Sequence, residues 1–272
     1  MEVTSERKAY YKRERRKFAL ITYLLTAIFL LLALLQWVIF YFVDVIKLFF
    51  IEYYLVSCIF FGIGLVLLVL FIFFEALRFN KMINWLFAVL IFECIVLGMA
   101  PLITHHYTYQ FLFSFFIWTV ALALFILCGS CIPLDLTLDV VVLFVLAVVS
   151  IIAAIYFVML YIVINAPYSF IVARFFIVIS ILMFVMYHAQ IINGGRFAEM
   201  RTQDYFLGAL MLFLDFLLLY LFSFQMAPKW SDLCDSELSK NLVLFKDTTT
   251  AGWTGSSNDY YGYVKDTTTN HP

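Results

Sequence analysis

Seven apolar runs, each long enough to cross the hydrocarbon core of a bilayer, constrain this chain more than any other feature. They read as Leu20–Phe42, Leu55–Leu77, Ile83–Ile103, Tyr109–Ser130, Asp139–Ile164, Tyr168–Ile192 and Tyr205–Phe224. A core of about 30 Å takes roughly 20 helical residues. Lipid offers no water to satisfy the backbone, so only helices and closed barrels span it, and none of the runs alternates with the period of two that a barrel strand needs. All seven are therefore predicted to be helices, and the fold class to be all-α membrane protein, a seven-transmembrane-helix bundle. With 65% hydrophobic and 13% charged residues and a mean hydropathy of +1.02, a soluble domain is excluded.

Three segments follow from the distribution of charge: a basic N-terminal segment, residues 1–17; the seven-helix domain, 18–226; and a polar tail, 227–272, expected to be disordered and repeating KDTTT at Lys246 and Lys265. The first apolar run is longer than the core of a cleaved signal peptide and reads as a signal anchor. Lys and Arg gather before that run (Arg7, Lys8, Lys12, Arg13, Arg15, Arg16, Lys17), in the second loop (Arg78, Lys81) and in the sixth (Arg196, Arg201), whereas the opposite short loops offer only Lys47. Because cations mark the cytoplasmic side, the N-terminus is predicted to be cytosolic and the tail to lie outside the cytosol. A net charge of -1 argues against a nucleic-acid partner. Cys128 and Cys131 form a C-x-x-C without a second ligand pair nearby, which reads as packing rather than zinc.

Ionisable residues inside a span need a reason, since a charge at mid-bilayer costs roughly 2.5–3.5 kcal/mol on insertion scales. His188 and Asp215 occupy the last two spans, in YHAQIINGG and LFLDF, and are the primary site candidates. Gly194 and Gly195 are expected to end the sixth helix and Thr202 to cap the seventh, giving an antiparallel hairpin that brings both candidates to similar depth. Glu93, in LIFECIVLG, is a candidate pathway residue or a hydrogen-bonded neutral acid. Glu75 and Arg78 lie three residues apart at the cytosolic end of the second span, where they are expected to pair with each other; alternatively Arg78 latches onto Asp215 or the sixth loop. Arg174 is expected to reach headgroups at the opposite end of the sixth span. His105 and His106, in the third loop, read as a solvated turn.

YHAQIINGG followed by QDYFLGALMLFLD resembles the signature of the transmembrane Bax inhibitor motif family, closest to its lifeguard branch. Seven spans, the basic N-terminus, Trp85 in KMINWLF and the loop PLDLTLD sit where that family has them, so the resemblance covers about residues 16–224, in residues for the last two spans and in pattern for the rest. It implies a multi-pass protein of the endoplasmic reticulum, Golgi or plasma membrane that modulates apoptosis and calcium homeostasis through a pH-sensitive calcium leak. The family attributes the sensing to two aspartates. Here Asp215 keeps the second position and His188 replaces the first, so two acids sharing a proton give way to an imidazole and a carboxylate. Calcium prefers six to eight oxygen ligands, so the replacement also removes hard donors from the route.

The implied partners are membrane lipids, calcium as a transported ion and cell-death regulatory membrane proteins; no resident cofactor or metal is expected. A non-conducting scaffold that binds such regulators or receptors is the alternative. An enzyme is not expected, because the chain has no H-x-x-x-H and no G-x-S-x-G elbow. A G-protein-coupled receptor would require the opposite orientation.

Overall fold

The computed structural model describes residues 2–104, 108–164, 166 and 168–224. The expected tail and the His105–His106 pair therefore lie outside the described residues. All regular structure in the described residues is helical: α1 (Glu2–Phe42), α2 (Asp44–Glu52), α3 (Tyr54–Phe73), α4 (Glu75–Phe79), α5 (Lys81–Thr104), α6 (Thr108–Cys131), α7 (Val140–Ile164), α8 (Ser169–Asn193) and α9 (Tyr205–Phe224). Seven of these, α1, α3 and α5 to α9, are long and apolar enough to span a bilayer. The chain is a multi-pass membrane protein.

The bundle is built around α5 and α9. Half of the spanning window of α5 and 61% of that of α9 are buried, against 17–22% for α3, α6, α7 and α8, whose outer faces are left for lipid. The reason lies in which faces find partners: α9 packs on α1, α8, α6 and α5, while α3 packs chiefly on α5 and α7 on α8. Between the central helices the core is aromatic. Trp37 stacks on Tyr220 with centroids 5.9 Å apart, Tyr220 stacks on Phe216, and Phe92 lies between Phe29 and Phe213. The Trp37 indole N–H donates to the Val96 carbonyl at 3.1 Å, which satisfies the one polar atom its burial would strand. Helices approach most closely at glycine: a Cβ on Gly98 would lie 2.8 Å from the Phe61 Cα, and one on Gly129 would lie 2.7 Å from the Met186 carbonyl oxygen. The described cysteines, Cys58, Cys94, Cys128 and Cys131, are free thiols.

Local structure departs from the sequence reading in three places. The basic segment is helical from Glu2 and continues into the first span, so the boundary after residue 17 is one of composition alone. Residues 44–52, expected as a loop, form α2, held by Phe50 against Phe40 at 5.0 Å. The second span stops at Phe73 rather than Leu77: Phe74 turns to extended backbone (φ −96°, ψ 90°), and α4 begins anew at Glu75. No Gly or Pro marks that break. Beyond it, α4 is tied to the α8–α9 loop by two ion pairs, described next.

Candidate functional site

The α8–α9 hairpin forms as its sequence dictates. α8 ends at Gly194, whose φ of 69° is followed by 74° at Gly195, a left-handed pair that glycine adopts without Cβ strain, and the Gly194 N–H closes on the Gln190 carbonyl at 3.0 Å. Gly194 is required for a second reason: a side chain there would collide with the Arg15 guanidinium, 2.1 Å from the position of a Cβ. The seventh long helix starts at Tyr205, so Thr202 is not its cap; Asp204 is the residue before the first turn and its carbonyl accepts from the Gly208 N–H.

The hairpin brings His188 and Asp215 into contact. His188 Nδ1 lies 2.6 Å from Asp215 Oδ2, with the side chains 15% and 6% exposed. One proton lies between the two atoms: Nδ1 donates it when Asp215 is a carboxylate, and the carboxyl donates it when Asp215 is protonated and the ring neutral. His188 sits five residues from the end of α8, or about 8 Å at 1.5 Å per residue, so the pair lies inside the bundle yet near one of its ends. Aromatic rings of Phe184 and Tyr187 flank the imidazole, and Phe216 follows the carboxylate into the core.

Above the pair, the α6–α7 loop is clamped to α8 by Gln190, two residues past the histidine. The amide of this fully buried side chain donates to the Leu134 carbonyl and accepts from the Leu136 N–H, both at 2.8 Å. Asp135 of the same loop accepts from Thr137 and from the Phe197 N–H, and its carboxyl is held below the ordinary range, the Thr137 hydroxyl contributing most. Arg196 does not serve the end of its own helix. It reaches across to the Ile132 and Pro133 carbonyls, past the end of α6.

The remaining candidates do not join the pair. Glu93 accepts from the amide of Gln36 on α1 at 2.9 Å. Glu75 and Arg78 do not pair with each other: Arg78 bonds Asp204 at 3.1 Å and Glu75 bonds Arg201 at 2.8 Å, so both tie α4 to the α8–α9 loop. Asp204 is displaced upward from the usual carboxylate range, because its burial outweighs the neighbouring Arg78 and Arg201 charges. Arg174 is half-buried, and its Nε donates to the Phe222 carbonyl at 3.3 Å. On the other side of the same loop, Arg15 reaches from α1 to the carbonyls of Ile191, at 2.9 Å, and Met200, and Tyr11 bonds the Glu199 carboxylate.

Sequence reasoning missed Gln36, Gln190 and Arg15. Gln36 and Gln190 obey the rule that singled out His188, a polar side chain inside an apolar run, and that signal would have found them. Arg15 was counted among the basic residues, and nothing in a run of cations distinguishes the one that turns inward. Among the described residues no group of His, Cys, Asp and Glu is arranged to hold a metal ion. Comparison with protein-family models, with curated proteins and with solved structures found no match to this chain.

Proposed function

We propose that this protein is a pH-responsive membrane regulator of the Bax-inhibitor and lifeguard type, acting on calcium homeostasis and cell-death signalling in an endomembrane, with His188 and Asp215 as its proton-responsive element. The observation that carries this reading is the 2.6 Å contact between two ionisable side chains on adjacent apolar helices, at the place where the resembled family has its acidic pair. A buried imidazole and carboxylate in hydrogen-bond contact act on each other strongly, so that a change of charge on either alters the surroundings of both at once. Gln190, which clamps the α6–α7 loop, and the ion-paired α8–α9 loop both belong to the hairpin that carries the pair, and are the elements through which such a change would reach the surface.

The purified protein in liposomes loaded with a calcium indicator tests the reading. Acid-modulated efflux that Asp215→Asn abolishes and His188→Asp strengthens is expected; an efflux unchanged by both substitutions would remove it. A second reading, the non-conducting scaffold, is favoured by the donor set itself: one carboxylate, already engaged by an imidazole, is a poor substitute for the six to eight oxygens calcium takes. Absence of efflux at any pH, with the protein folded, selects the scaffold.

The orientation belongs to the same proposal. The cations of α1, of the α4–α5 region and of the α8–α9 loop support a cytosolic N-terminus by the positive-inside rule. An N-terminal epitope is expected to be reached by antibody when only the plasma membrane is permeabilised, and a C-terminal epitope only after all membranes are opened; the reverse pattern would overturn the assignment.

A further inference from the structure

A cleft of about 730 Å³ opens between the first turns of the membrane-entering part of α1 and the end of α8. Its α1 wall carries Lys8, Lys12 and Arg16 at successive four-residue intervals, all exposed, and then Ala19 and Leu20, where the helix turns apolar. The facing wall is polar: Asn193 of α8 accepts from Tyr23 of α1 at 3.1 Å and donates to the Ser130 hydroxyl of α6 at 2.6 Å. At the floor lies Arg15, 5% exposed, whose two terminal nitrogens are held by the Ile191 carbonyl of α8 and the Met200 carbonyl of the α8–α9 loop while its buried Nε has no hydrogen-bond partner.

We propose that this cleft binds the headgroup of an anionic glycerophospholipid. The order of chemistry along α1 is that of the molecule. Three cations stand where phosphate and an acidic headgroup lie, polar hydroxyl and amide groups stand at the glycerol level, and exposed Leu20 begins the surface along which acyl chains run. A free anion would use only the upper part of this gradient, whereas a two-chain lipid uses all of it. Among the described residues Lys8, Lys12 and Arg16 enter no ion pair, unlike Arg15 at the floor, which faces Glu199 at 3.6 Å. On the other faces of the same helix Lys17 pairs with Glu14 and Arg13 lies over Tyr10, while Lys8, Lys12 and Arg16 converge on one opening. Polybasic segments at an interface gain about 1 kcal/mol per cation from anionic lipid, and a preformed polar pocket adds selectivity to that attraction.

The full-length protein in phosphatidylcholine nanodiscs, titrated with fluorescent phosphatidylserine, tests the assignment. Replacing Lys8, Lys12 and Arg16 together by Gln is expected to weaken binding about a hundredfold. Replacing Arg7, Arg13 and Lys17 by Gln removes the same charge from outside the cleft and is expected to weaken it less than tenfold. Thermal unfolding of both variants verifies that each is folded, as exposure of all six side chains predicts. Equal losses from the two triple variants would reduce the effect to general surface attraction and overturn the site, as would no loss from the first. Soluble phosphoserine is expected not to displace the lipid; displacement at matching concentrations would show that the anion alone is recognised and would overturn the lipid assignment.

Discussion

Two carboxylates in one loop respond to their surroundings in opposite ways, and each sets a different dependence on acid. For Glu199, partial burial works to raise the carboxyl, but the Tyr11 hydroxyl, the Gly195 N–H and the Arg15 charge prevail and hold it below the usual range. A depressed carboxylate contributes stability that is present above its unfolded value, 4.5, and is lost as pH falls through the folded value. Melting temperatures in nanodiscs are therefore expected to fall below that pH, and Glu199→Gln to flatten this part of the profile at the expense of a lower plateau; an unchanged acid limb would show that the contact between α1 and the α8–α9 loop carries no stability. Asp204 has the contrary sign. Burial raises its carboxyl, so its contribution is complete below 3.8 and is lost as pH rises through its folded value, and the Arg78 bond offsets this loss rather than adding a surplus.

At the scale of helices, packing depends on backbone approaching backbone, because lipid supplies no hydrophobic drive for one apolar helix to leave it for another. Gly98 and Gly129 are where this happens. Any Cβ there would press on the backbone of Phe61 or Met186, whereas Gly62 of α3 faces open space. Gly98→Ala and Gly129→Ala are each expected to lower stability by about 1–3 kcal/mol through overpacking, and Gly62→Ala to be neutral or slightly stabilising, as an exposed helical glycine replaced by alanine should be; chemical or thermal unfolding in detergent ranks the three. A Gly62→Ala loss as large as the others would locate the cost in the helices and not in their contacts. The long helices themselves were legible in the sequence: from Tyr109 onward every expected described end lies within one residue of the observed one, since bilayer thickness fixes the length and charge fixes the flank. The break at Phe74 and the helix α2 were not, since no Gly or Pro marks the first and the contacts these elements make are tertiary: Arg201 and Asp204 bond α4, and Phe40 receives Phe50. Glu75 and Arg78, adjacent on a helical wheel, find partners 126 residues away: the Arg78 bond to Asp204 is the alternative expected of it, a latch onto the sixth loop, whereas nothing in the sequence singled out Arg201 for Glu75.

For the whole molecule, the central point is that a hairpin predicted from a Gly-Gly turn delivers two ionisable groups to one another inside a bundle whose core is mainly apolar and aromatic. Their residue types and their contact followed from sequence, because spans joined by a short turn must run antiparallel; the loops folded over them did not, since Gln190 and Asp135 act through partners far along the chain. If the pair is one unit, its members cannot lose their contributions independently. A double-mutant cycle on thermal unfolding in nanodiscs, with His188→Asn, Asp215→Asn and both together, measured at neutral and at mildly acidic pH, is the most direct test. The prediction is a coupling of about 1 kcal/mol or more between the two positions, with a magnitude that changes between the two pH values. Additive losses that are the same at both would contradict it.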